Sequence, residues 1–163
     1  MDININTGSK WVALAIGVAV LVLSPFDGVG ISSGCSLMAR LSYPMFHVNF
    51  LHAFCNAWCL ITLVFYYDLH VRKIITAYLI SISIPAFLLS ATPVVGMSGV
   101  CFALMGLAFY VVRRKVMYMS WAAAFLVVGF FLPNVAAHLH VYCFAAGLIV
   151  GLLFTPLPWL RRK

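Results

Sequence analysis

The sequence predicts an all-α membrane protein, a single domain over residues 1–163 built as a bundle of six transmembrane helices with both termini on the cytoplasmic side. Three observations lead there. Hydrophobic residues fill 65% of the 163 positions, charged residues only 8%, and the mean hydropathy is +1.11. A soluble domain carries about a quarter charged residues, so this composition cannot cover a surface in water and calls for lipid as solvent. The second observation is a division into six apolar runs, and the third is the placement of the basic residues.

A bilayer span needs ~20 apolar residues, with a usable range of ~17–25. Charges and Pro/Gly clusters cut the chain into runs at Trp11–Phe26, Val48–Tyr67, Ile74–Leu89, Ser98–Val112, Val116–Leu132 and Ala136–Thr155. Backbone polar groups cannot stay unpaired in hydrocarbon, so each run is expected to be helical. The first run resembles the apolar part of a signal peptide, but no small-residue cleavage site follows it directly. Gly34-Cys35 is too far beyond that run to read as a lipoprotein acceptor. The external stretch 27–46 carries Arg40 and precedes the second run, and the remaining four runs are separated by the basic clusters and short turns.

The ten Lys and Arg are Lys10, Arg40, Arg72, Lys73, Arg113, Arg114, Lys115, Arg161, Arg162 and Lys163. Threading six spans puts all but Arg40 on one side, which the positive-inside rule makes cytoplasmic. The formal charge of +7 therefore signals topology, and no nucleic-acid partner is expected. The five cysteines are odd in number, and Cys55, Cys59, Cys101 and Cys143 fall inside runs, which suits small buried hydrophobes rather than a disulfide framework.

Strongly polar groups inside a span are costly and usually face the bundle interior or water. Here they are few. The second run carries His52 and Asn56, with His47 just before it; the fourth opens on Gly96-Met97-Ser98-Gly99; the sixth opens with His138 and His140. The acids Asp2, Asp27 and Asp68 all lie outside the runs, so a catalytic set must work without a buried carboxylate. Counting helical rise from the cytoplasmic ends puts Ser98 at ~22 Å, His52 at ~24 Å, Asn56 at ~18 Å and His140 at ~22 Å, one layer near the outer surface of a ~30 Å core.

Small residues let helices approach closely: Gly99, Ala103 and Gly106 smooth the fourth run, and Gly147 and Gly151 form a ridge on the sixth. Gly147 and Gly151 return to within ~20° of the His140 face, whereas Gly147 is ~180° from His138. This register aims His140, not His138, at Ser98. A serine hydroxyl needs a base such as imidazole to become a nucleophile. The Ser98 amide with the His52 and Asn56 side chains, i and i+4 on one face, would stabilise the oxyanion. Gly96 and Gly99 permit the turn that presents the hydroxyl.

These residues resemble those of rhomboid proteases. That family carries GxSG at the start of its fourth helix, and Gly96-Met97-Ser98-Gly99 continues as Val-Cys-Phe-Ala-Leu-Met-Gly, much as in bacterial members. His47, His52 and Asn56 fit its second helix in register, Arg40 fits its external Trp-Arg with Ala39 in place of Trp, and His140, Gly147 and Gly151 fit its sixth helix with Cys143 in place of the first glycine. The resemblance covers roughly residues 39–151. It implies the six-helix rhomboid fold, a Ser98–His140 dyad, an oxyanion site of Ser98, His52 and Asn56, and supporting roles for Gly96, Gly99, Phe102, His47, Gly147 and Gly151. Phe102 stands where the family commonly has a Tyr that packs on the base, and His47 is expected to order the external loop.

The implied activity is serine endopeptidase cleavage of transmembrane protein substrates near the outer end of a span, in the bacterial cytoplasmic membrane, with access gated by the fifth helix and a loop cap. No cofactor or metal is implied. Two other readings compete. A non-catalytic rhomboid-like factor that binds membrane proteins for quality control typically lacks the serine or the base. A transporter or channel needs polar groups along a whole path, whereas these stop in one layer.

Overall fold

The structure, a computed structural model, describes residues 5–24, 30–132 and 135–153. Among them are seven α-helices and no strand: α1 (Ile5–Val22), α2 (Leu37–Ser42), α3 (Phe50–Tyr66), α4 (Val71–Ile82), α5 (Ser98–Ala108), α6 (Lys115–Phe131) and α7 (Ala137–Leu153). Short 3-10 turns at Tyr43–Met45 and Ala86–Leu88 and a single bridge between Ile31 and Val94 complete the regular structure. The protein is thus all-helical.

Six of these helices fall on the six apolar runs, with corrected bounds. The first begins at Ile5 rather than Trp11 and ends at Val22, Phe26 lying outside the described residues. The third run reaches Leu89 on hydropathy alone, but α4 stops at Ile82, because Pro85 has no N–H to continue it. The fourth stops at Ala108 instead of Val112. Thr155, Asp2, Asp27 and the basic residues 161–163 lie outside the described residues. Taken singly, no helix among the described residues is long and apolar enough to cross a membrane. The pair Leu37–Met45 and Phe50–Tyr66, bent by 82°, passes that test together.

Side-chain caps set where several helices begin. Ser36 Oγ accepts from the Ala39 N–H (3.2 Å) to start α2. Asn49 Oδ1 accepts from the His52 N–H (2.8 Å), which fixes the phase of α3 and with it the direction of His52 and Asn56. Cations hold carbonyls at helix ends. The Arg40 guanidinium donates to the Ile82 and Ile84 carbonyls after α4. Lys73 Nζ donates to Leu107 O (3.2 Å), and Lys115 Nζ to Phe109 O (3.0 Å) and Val112 O (3.3 Å). Lys10 pairs with Asp68 at 3.2 Å. Lys10, Lys73 and Lys115 therefore collect at one end of the bundle and Arg40 at the other.

Helix α5 sits at the centre, packed against α3, α4 and α7; α1 packs on α3, and α6 is attached chiefly through α7. The α5–α7 contact is backbone against backbone. A methyl group at Gly147 would strike the Ala103 carbonyl, and one at Gly106 the Phe144 carbonyl, neither of which can swing aside. We expect Gly147→Val to lower the apparent Tm of the detergent-solubilised protein, overpacking costing about 1–3 kcal/mol. Gly34→Ala, with open space around its new methyl group, should leave Tm unchanged. Equal melting temperatures for the two variants would show that α5 and α7 do not touch as described.

The cysteines are only partly core. Cys101 and Cys143 are buried, but Cys55 is exposed and Cys59 half-buried, since α3 turns those positions toward or near its outer face. Trp58 and Trp121 are also on the outside of the bundle.

Candidate active site

The turn before α5 is built by a strap from residues 43–47. Gly96 takes φ +125°, a conformation that L side chains rarely adopt, and a Cβ there would lie 2.7 Å from His52 Cε1 and 3.4 Å from Asn56 Nδ2. The Gly96 N–H donates to Tyr43 O (3.1 Å), and the Met97 N–H donates to His47 Nε2 (3.1 Å). Two consecutive amides are thereby held, and Ser98 follows as the first residue of α5. The Tyr43 hydroxyl donates to Ser81 O (3.1 Å), and its oxygen would lie 2.9 Å from a Cβ on Gly99, so only glycine leaves room for the ring.

From α7, His140 Nε2 lies 2.7 Å from Ser98 Oγ. The Phe102 ring, one turn below the serine, stacks on the imidazole at a centroid distance of 4.4 Å and 22°. His138 points elsewhere: it is exposed and meets Phe130 of α6 edge-on, centroids 5.5 Å apart. Position 129 of α6 faces the base, a Cβ on Gly129 falling 3.8 Å from His140 Nδ1. Gly151 packs on the Tyr110 ring near the far end of α7.

From α3, Asn56 Nδ2 lies 2.9 Å from His47 Nε2. The His52 ring meets His47 edge-on at 4.9 Å and 77°. Burial, with the neighbouring His52 ring second, pushes the His47 imidazole down to about 4, so His47 is neutral near pH 7. Asn56, His47 and His140 are buried, and Ser98 and His52 are partly open.

No family model matches the chain, and no curated protein matches it.

The geometry stands on its own chemistry. A neutral imidazole with a lone pair on Nε2 can take the Ser98 proton as the hydroxyl attacks. Asp68, the one acid among the described residues, pairs with Lys10 at the other end of the bundle, so the described set is a dyad rather than a triad. Among the described residues no three His, Cys, Asp or Glu side chains are placed to hold a metal ion.

Every residue named from the sequence for this site falls around the start of α5, except Gly147 and Gly151, which lie below it along the α5–α7 contact. Two roles were not legible. Tyr43 belongs to no motif in the sequence, although Tyr43-Pro44 ahead of His47 is the kind of pair that fixes a rigid turn. His47 does more than order the external loop, since its ring contacts both Asn56 and the Met97 amide.

Proposed function

We propose that this chain is a rhomboid-type intramembrane serine endopeptidase, a six-span protein of the bacterial cytoplasmic membrane that cuts transmembrane protein substrates near the outer end of a span. The observation that carries the reading is the 2.7 Å contact between Ser98 Oγ and His140 Nε2, with Phe102 stacked on the ring and Asn56 and His52 beside the same turn. The membrane placement is supported by the outside of the bundle, where Trp11, Trp58, Val116, Trp121, Phe131 and Leu153 are all exposed. So many exposed large apolar side chains suit a lipid surround better than water. It is supported too by the gathering of Lys10, Lys73 and Lys115 at one end.

In this reading His140 Nε2 takes the hydroxyl proton as Ser98 Oγ bonds to the scissile carbonyl carbon. Charge develops on the carbonyl oxygen, and the Ser98 amide, the Asn56 NH2 and His52 stabilise it. His140 then gives its proton to the leaving amine as the C–N bond breaks. Water, deprotonated by the same ring, hydrolyses the acyl-serine and restores the dyad. The Phe102 stack orients the imidazole but offers no phenol.

A non-catalytic binding factor of the same family is the second reading, and the intact Ser98–His140 pair weighs against it. A fluorophosphonate probe applied to the purified protein in detergent separates the two. Wild type should be labelled covalently, and Ser98→Ala should not. Equal labelling of both, or of neither, would remove the serine hydrolase reading.

A further inference from the structure

We propose that His47 is a positioning residue for the oxyanion site: its Nε2 holds the Asn56 side chain to the turn that carries Ser98 and decides which end of that amide faces the reaction. The inference rests on the protease reading above.

The starting point is a group with no choice of role. A backbone N–H can only donate, and the Met97 N–H lies 3.1 Å from His47 Nε2. Nε2 must therefore carry the lone pair, and the ring proton sits on Nδ1. That atom is buried and has no hydrogen-bond partner among the described residues. Asn56 contacts the same Nε2 at 2.9 Å. Against an acceptor, Asn56 must present NH2 and not its carbonyl oxygen, since the two ends of an amide are assigned by their partners. One N–H of that group goes to His47, and the second remains for the developing oxyanion beside Gly96.

The arrangement links three elements through one atom. The strap at 43–47 supplies the acceptor, α3 supplies the amide, and the turn into α5 supplies the second donor. His47 is fully buried, so water does not replace the missing acceptor cheaply. Without Nε2 the Asn56 amide is free to rotate by half a turn and offer its oxygen, the negative end, to a forming negative charge. Loss of His47 should then cost at least as much as loss of Asn56 itself. It should do so in kcat, because the oxyanion exists only in the transition state.

The test uses the full chain in detergent with a fluorescently tagged single-span protein carrying a helix-breaking Gly-Pro pair near its outer end. His47→Leu fills the space without an acceptor, whereas His47→Gln places a carbonyl oxygen where Nε2 was. We expect His47→Leu to lower kcat by about a hundredfold, the typical loss of one oxyanion donor, with KM little changed. His47→Gln should stay within an order of magnitude of wild type. In an Asn56→Ala background His47→Leu should add little, since both changes remove the same donor. Equal impairment of the Leu and Gln variants, wild-type turnover of His47→Leu, or losses that multiply in the double variant would each overturn the proposal. Should His47→Leu not fold, His47→Gln decides: turnover as low as Asn56→Ala rejects the role, and near-wild-type turnover supports it. Absence of Ser98-dependent cleavage in the wild-type protein is a separate outcome, which defeats the protease reading and this inference with it.

Discussion

Ser98→Ala should abolish cleavage of any membrane substrate and leave the bundle folded. The substitution deletes one oxygen from a partly open position. Among the described residues the bond lost is the 2.7 Å contact to His140, and a single intramolecular hydrogen bond contributes about 1 kcal/mol net. Tm should therefore move by a few degrees at most. In the proposed mechanism turnover depends on that oxygen entirely, since no other side-chain hydroxyl among the described residues hydrogen-bonds to His140. In a serine hydrolase of another fold, loss of the nucleophile or the base costs on the order of a million-fold in kcat. Purified Ser98→Ala with wild-type melting and more than a trace of residual cleavage would contradict the mechanism.

His140→Ala should be as inactive as the serine variant, while His138→Ala keeps most activity. The two histidines differ by two residues and by what they touch. His140 bonds to Ser98 and stacks against Phe102, whereas His138 is exposed against Phe130. Groups that act as a unit lose activity together, so the Ser98→Ala, His140→Ala double variant should be no worse than either single change. Measuring kcat for all four proteins on one substrate gives the answer. An inactive His138→Ala beside an active His140→Ala would mean that α7 is turned by about half a revolution relative to the contacts described here.

What the sequence made legible followed from strong periodic signals. Six helices were visible because charges punctuate the apolar runs, and the choice of His140 followed from the phase of Gly147 and Gly151. The corrections came from weaker signals. Hydropathy alone carried the third run past Pro85, where the backbone cannot continue a helix. The short α2 and the 43–45 turn leave no signal in the sequence, since six and three residues carry too little periodicity to be recognised. For the same reason the use of the Tyr43 carbonyl was hidden: a main-chain acceptor leaves no trace in residue identity. The link from His47 to Asn56 was within reach, being a fixed spacing, but its second bond to Met97 joins segments 50 residues apart. No local pattern encodes such a contact.

Helix α5 is short, and this bears on a reactant that is scarce in lipid. Its 11 residues rise ~16 Å, about half the ~30 Å thickness of a hydrocarbon layer. In the proposed reaction each bond cut consumes one water molecule, so turnover would depend on hydration reaching the acyl-serine. In the placement proposed above, the chain leading to Ser98 from the outer side is loop, residues 89–97, so the serine would sit at the outer end of α5 and not in the middle of a span. Below the serine, Val100, Cys101, Ala103, Leu104, Leu107 and Ala108 are all buried and offer nothing to solvate an ion. In the reading proposed above, the helix would form a dry floor beneath the serine. In that reading hydrolysis would draw its water from the outer compartment, past the outer end of this 11-residue helix.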